Sequence, residues 1–232
     1  MTLRLSPGRT GRTVSVAIID SGVNAAHPHV GGVAGGVGIG PDGSEHADYL
    51  DRLGHGTALA AAIREKAPAA ELYAVKVFDL ALSTGITALV AAIDWAARRG
   101  VQLVNLSLGT ARGEHEEALR ACVARAAERG VWIVSAREQD GQRWLPGCLP
   151  GVVPVRLDWD CPRQSCRLDV APDGAWVCCA SGFPRGIPGV PPERNLKGIS
   201  FAVANVTGLL AQALESAPPP RGLEDLRRCL SG

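Results

Sequence analysis

The chain has 232 residues, 46% of them hydrophobic and 20% charged, a composition that belongs to folded globular proteins and excludes disordered and fibrous classes. Its 24 basic and 23 acidic side chains nearly cancel, so no charged face argues for nucleic acid or an anionic membrane as a partner. No apolar run reaches the roughly 18–20 residues of a membrane span and the first residues carry no signal-peptide pattern, so residues 1–232 read as one cytoplasmic domain.

In chain order, Thr-Val-Ser-Val-Ala-Ile-Ile over residues 13–19 is a β-branched run that predicts a buried strand ending in Asp20-Ser21-Gly22. Asp20 either stands in the ligand crevice that open α/β sheets place at the carboxyl ends of their strands, or caps the turn before Gly22. Residues 31–43 are rich in glycine and lack both periodicity and the Gly-Lys-Ser/Thr ending of a phosphate loop. They read as surface loop with hairpin character. Gly54-His55-Gly56-Thr57 then leads into an alanine-rich helix over 58–66, with His55 in its first turn. Of the five histidines only His55 lies between two glycines, a setting that lets backbone or ligand approach closely.

Further strands are predicted over 71–78, 101–106 and 131–134, with helices over 84–99 and 114–129 closed by Gly100 and Gly130. This alternation predicts an α/β fold, a mostly parallel sheet flanked by helices on both faces. Beyond residue 134 the pattern loosens, with short strands near 151–157 and 175–179. A long apolar helix over 199–214 and a short one over 223–230 close the chain.

The long helix opens on Gly198-Ile199-Ser200-Phe201-Ala202. Serine is among the commonest helix N-caps, which is one reading of Ser200. The other is a nucleophile whose developing anion faces the first free amides of the helix. Four of the seven cysteines, Cys161, Cys166, Cys178 and Cys179, fall close together. They form no Cys-x-x-Cys pair, and adjacent Cys178-Cys179 suits a single tetrahedral ion poorly, so they read as reduced, buried small residues with no metal. Asp42, Glu45, Asp48 and Asp51 lack the order of an EF-hand loop, and no cofactor is expected.

Asp20, His55 and Ser200 appear in the order Asp, His, Ser, each at an element boundary. Val16-Ala17-Ile18-Ile19-Asp20-Ser21-Gly22-Val23, Gly54-His55-Gly56-Thr57 and Gly198-Ile199-Ser200-Phe201-Ala202 resemble the Asp, His and Ser motifs of the subtilisin-like (subtilase) serine protease family. The stretches Ala74-Val75-Lys76-Val77-Phe78, Val104-Asn105-Leu106-Ser107-Leu108-Gly109 and Leu149-Pro150-Gly151-Val152-Val153-Pro154-Val155 extend the resemblance over about residues 13–214. It implies the subtilisin-like three-layer α/β fold and a serine endopeptidase; unlike exported family members, this chain begins almost directly at its first core strand, and no inhibitory prodomain is expected. In that enzyme Ser200 is the nucleophile, His55 the general base and acid, and Asp20 the group that fixes the imidazole. It implies also that Ser107-Leu108-Gly109 pairs with a peptide or protein substrate laid down as an extended strand.

The chain departs from the family at the asparagine that completes the oxyanion site. Direct counting puts Glu138 there, whose carboxylate would repel an oxyanion; Gln139 after a one-residue shift, or Arg137 turned inward, would supply a donor instead. Arg143-Trp144 falls near the family's primary specificity pocket, where Trp144 would narrow the space. Two functions therefore stand side by side: restricted processing of a peptide or protein precursor, and a catalytically impaired peptide-binding subunit that needs a partner.

Overall fold

In chain order, strands β1 (Thr2–Arg4), β2 (Ser15–Asp20), β3 (Gly35–Ile39) and β4 (Glu45–His46) precede helix α1 (His55–Lys66). Then come β5 (Glu71–Lys76), α2 (Ile86–Arg99), β6 (Leu103–Leu106), α3 (Glu116–Glu128) and β7 (Trp132–Ala136). A hairpin of β8 (Glu138–Gln139) and β9 (Gln142–Arg143) follows, then β10 (Val152–Leu157), β11 (Ser165–Val170), β12 (Trp176–Ala180), α4 (Ile199–Leu214) and α5 (Leu223–Cys229). The computed structural model describes residues 2–4, 7–215, 220 and 222–229.

All strands but the hairpin form one 10-stranded sheet in the order β1-β11-β12-β10-β7-β6-β2-β5-β3-β4. The run from β12 to β3 is parallel throughout, and the antiparallel pairings lie at the two edges. Along β2, Val16 and Ile18 enter one core while Ala17 and Ile19 enter the other. The same alternation recurs in β5, with Leu72 and Ala74 set against Tyr73 and Val75. A strand buried on both faces therefore reads as an unbroken apolar run. Leu59 and Ile63 of α1 join α4 over the first face; Leu89 and Ile93 of α2 and Leu119 of α3 cover the second. Helix α4 is buried without a break from Phe201 to Ala213, which is why it is apolar all round. Thr207 Oγ1 donates to Asn105 Oδ1 at 3.0 Å, tying α4 to β6.

The glycine-rich stretch differs from its expectation. Residues 35–39 are a strand of the main sheet, parallel to β5, and only its pairing with β4 is a hairpin. Its glycines answer to crowding rather than to turns, since a Cβ on Gly36 would fall 2.6 Å from the Tyr49 ring and 2.7 Å from Ala74 O. With the side chains removed, no strand period was left to read. Edge strand β1, its neighbour β11 and the β8–β9 hairpin are likewise additions to the predicted elements. The predicted closing helix is α5, with residue 230 outside the described residues.

Cys161, Cys166, Cys178 and Cys179 are all buried. A hydrogen bond with Cys166, and then burial, hold the Cys178 thiol well above its ordinary value. Among the described residues no group of His, Cys, Asp and Glu is arranged to hold a metal ion, and no helix is long and apolar enough to cross a membrane.

Candidate active site

Asp20 ends β2, His55 begins α1, and Ser200 lies in the first turn of α4; Asp20 and His55 meet at the carboxyl end of β2. His55 Nδ1 lies 2.7 Å from Asp20 Oδ1, with the carboxylate almost fully buried and the imidazole side chain 15% exposed. Ser21 N donates to the same Asp20 oxygen at 2.8 Å. The Asp20 carboxylate thus serves its own turn and also reaches His55. Asp20 Oδ2 is buried and has no hydrogen-bond partner among the described residues.

Close backbone approach makes that contact possible. A Cβ on Gly56 would fall 2.1 Å from Gly22 O, so the first turn of α1 can press onto the turn after Asp20 only if residue 56 is glycine. Asp51 locks the same junction. Its Oδ1 accepts from Ser21 Oγ at 2.9 Å and from the amides of Leu53 and Gly54, and its Oδ2 accepts from Thr57 N at 2.9 Å and Thr57 Oγ1 at 2.6 Å. Burial pushes the Asp51 carboxyl up, but these hydrogen bonds outweigh it and hold it below the usual carboxylate range. In the sequence Asp51 stands out only as one of four acidic residues without EF-hand order. The signal that marks it is an aspartate three and six residues before Gly54 and Thr57, whose amides it caps.

Burial lowers the His55 pKa, yet the hydrogen bond to Asp20 and the charges of Asp20 and Asp51 outweigh it, and His55 titrates above its ordinary 6.5. Since the folded value is the higher one, this contact stabilises the fold fully below about pH 6.5 and loses that contribution as pH rises through the folded value. Asp51→Asn removes one of the two charges. The His55 midpoint, read from ring resonances in an NMR titration, is expected to move to lower pH, and an unmoved midpoint would exclude Asp51 from the electrostatics of the site.

Ser200 is not an N-cap. The cap is Gly198, at φ 145° and ψ −175°, a conformation only glycine adopts readily, and no side chain among the described residues caps the helix. Ser200 instead occupies the second helical position, beside amides that have no intrahelical partner. Its hydroxyl donates to Ser107 O at 3.4 Å, while Ser107 Oγ donates to Ser200 O at 3.3 Å and accepts from Asn105 Nδ2 at 3.0 Å. Phe201 packs edge-on against His55 with ring centroids 5.7 Å apart, so the imidazole stands next to the opening turn of α4. Ser107 is thereby in direct contact with Ser200, Leu108 packs with the second core, and Gly109 lies under Trp144.

The oxyanion candidates separate clearly. Arg137 is ion-paired with Asp173, so it does not turn inward, and Glu138 Oε1 accepts from Arg156 Nε at 3.0 Å. Gln139 is exposed, and its side chain makes no hydrogen bond among the described residues. Glu138, Gln139 and Arg156 share a cleft with Gly198 and Ile199, the residues immediately before Ser200. The turn between β8 and β9 carries Asp140 at φ 51° and Gly141 at φ 77°, the left-handed pair of a two-residue hairpin. The Arg156 partnership of Glu138 could not be seen in sequence, because it depends on the register of β10 beside β7.

The family model described as Subtilase family matches residues 11–142. Subtilisin E of Bacillus subtilis (strain 168) is 32% identical across 92% of this chain and 58% of the relative, so the chain spans less than two thirds of that relative's length. Subtilisin of Bacillus pumilus is 30% identical across 92% of this chain and 81% of its own. A solved cold adapted subtilisin-like serine proteinase superposes with a TM-score of 0.70 at 22% identity, covering 96% of this chain and 82% of the other, and shows the shared fold. The sheet, the buried Asp20–His55 pair at its carboxyl edge and a matched span of more than half the sequence lead to one assignment: the chain belongs to the subtilase family.

Proposed function

We propose that the protein is a serine endopeptidase that hydrolyses peptide bonds through an acyl-enzyme, with Asp20, His55 and Ser200 as its catalytic residues, and that it performs restricted processing of a peptide or protein precursor. The observation that carries this reading is the 2.7 Å contact between Asp20 and His55, delivered beside the free amides that open the Ser200 helix. Ser200 Oγ attacks the substrate carbonyl carbon and passes its proton to His55. His55 then protonates the amine nitrogen as the C–N bond breaks, and a water repeats the sequence to release the acid. Asp20 holds the imidazole in the tautomer that leaves Nε2 free to accept. Without substrate the hydroxyl donates to Ser107 O, so it must leave that partner to reach the base; such catalytic bonds commonly tighten only when substrate binds.

The backbone amide of Ser200 supplies one donor to the oxyanion. Gln139 is proposed as the second, because of the two side-chain amides of the hairpin it is the one that lines the cleft with Gly198 and Ile199. Gln139→Ala is expected to lower turnover by about 10²–10³ with little change in KM, the scale for losing one such donor. A loss below tenfold would assign the second donor elsewhere.

The fluorophosphonate test is direct. The probe is expected to label the wild-type protein at Ser200 and to leave Ser200→Ala untouched. A folded wild type that never labels would overturn the proposal. A second reading, a peptide-binding subunit that needs a partner for activity, is favoured by the Glu138 carboxylate in the oxyanion segment and by the Ser200 hydroxyl turned to Ser107. Peptide affinity that survives Ser200→Ala, with no cleavage by wild type, would select it.

A further inference from the structure

Helix α4 opens without a side-chain cap among the described residues, so its first turn needs another contact to hold it in register with the sheet. A chain of polar side chains between α4 and β6 supplies one. Ser200 and Thr207 stand two helical turns apart on the face of α4 turned toward β6, separated by about 10.5 Å along the helix axis. Asn105 and Ser107, on β6 and its continuation, share the facing side of the sheet and are about 6.6 Å apart along the strand. The Asn105 amide bridges the mismatch. Its Oδ1 accepts from Thr207 Oγ1 at 3.0 Å, and its Nδ2 donates to Ser107 Oγ at 3.0 Å. Ser107 Oγ in turn donates to Ser200 O at 3.3 Å, and Ser200 Oγ donates back to Ser107 O at 3.4 Å. Asn105 and Thr207 are fully buried, so this polar chain lies inside the molecule and ends at the nucleophile.

We infer that Thr207 is a positioning residue for the nucleophile, acting through Asn105 and Ser107 to fix the opening turn of α4 against the end of β6. This rests on the peptidase reading above. A side-chain amide has an accepting side and a donating side, so the partner of one sets the direction of the other. The Thr207 hydroxyl donates, which turns Oδ1 of Asn105 toward it and leaves Nδ2 for Ser107. With that amide donating to its oxygen, the Ser107 hydroxyl has its own proton free for the Ser200 carbonyl. Were the amide reversed, Ser107 would donate to Asn105 and release Ser200 O. The turn that aims both Ser200 Oγ and the Ser200 backbone amide would then lose its anchor. Thr207 Oγ1 lies also 2.9 Å from Val203 O, the back-bond of a helical threonine, so one proton is shared between helix and relay.

The rate at which a fluorophosphonate labels the protein reads the nucleophile directly. Thr207→Val keeps the shape of the side chain and removes the hydroxyl. Its maximal labelling rate is expected to fall about tenfold at an unchanged half-saturating probe concentration, since a misplaced nucleophile loses rate and not affinity. Thr207→Ser restores the donor and is expected to label within about twofold of wild type. Ser107→Ala removes the last link and is expected to show a similar loss; in that background Thr207→Val is expected to cost nothing further. Losses that multiply in the double variant would assign Thr207 to packing alone and overturn the inference. A folded Thr207→Val that labels at the wild-type rate would overturn it too. Should Thr207→Val not fold, Ser107→Ala decides, and labelling there at the wild-type rate counts against the relay. Wild type that never labels would overturn the nucleophile, and this inference with it.

Discussion

Asp20→Asn is expected to leave a folded protein whose turnover is lower by about 10⁴, the scale seen when the carboxylate of such a triad is replaced by its amide. Two arrangements are open to the new side chain, and both are poor. If its oxygen keeps the place of Oδ1, it still accepts from Ser21 N and His55 Nδ1, but its NH₂ group falls where Oδ2 lies buried with no partner. An unsatisfied buried donor costs about 1–3 kcal/mol, and the imidazolium formed during reaction has lost its counter-charge. With the amide flipped, its NH₂ faces both Ser21 N–H and His55 Nδ1, which drives the proton onto Nε2 and removes the base from the serine. In both cases His55 loses the carboxylate charge that helps to raise its pKa, so its titration moves toward lower pH. Initial rates across pH 5–9, with thermal unfolding as the control for folding, check the prediction. A folded variant within tenfold of wild type would show that Asp20 does not orient His55.

Much of this arrangement was legible because the signals were local. Strand β2 could be read from its β-branched run, since a strand covered by helices on both faces needs apolar side chains in both directions. The bounds of α4 could be read to the residue, because Gly198 breaks the chain just before an unbroken apolar stretch. What escaped was set by distant neighbours. Strand β3 consists largely of glycines because Tyr49, His46 and Asp48 lie over it, so its membership of the sheet is recorded in the residues above it and not in its own pattern. The oxyanion segment was hard to assign for a similar reason. Counting along it placed Glu138 at the critical position, but its carboxylate is drawn to Arg156, two strands' worth of sequence away, leaving Gln139 free. Ser200 illustrates the opposite case: its neighbours suggested either a cap or a nucleophile, and the backbone of Gly198 takes the cap.

Lys66→Met is expected to stabilise the protein at pH 7, by up to about 3 kcal/mol. The side chain ends α1 with only 1% of its surface exposed, its stem lying against Gly208 of α4, where a Cβ would come within 2.9 Å of Lys66 Cβ. Its ammonium finds weak partners, Ala62 O and Glu65 Oε2, each at 3.5 Å. Glu65 is also held by Arg163, so its charge is shared. Burial accordingly depresses the Lys66 pKa to about 8, with the Glu65 charge recovering only part of the loss. A base with a lowered folded pKa destabilises the fold wherever the unfolded chain still holds the proton. The cost is complete below about pH 8, shrinks as pH rises from there, and vanishes above the unfolded value near 10.5. Methionine keeps the length and apolar character of the stem without the charge, and the Lys66 carbonyl still accepts from Gln212 Nε2 at 2.7 Å because that bond uses backbone. The stability difference between variant and wild type, from urea unfolding at matched pH, should therefore be largest at pH 7 and nearly absent by pH 10.5. Comparing the two proteins cancels the cysteine and tyrosine titrations that share this range. A difference that stays constant with pH would mean the gain comes from packing, and that the Lys66 ammonium is solvated better than its burial implies.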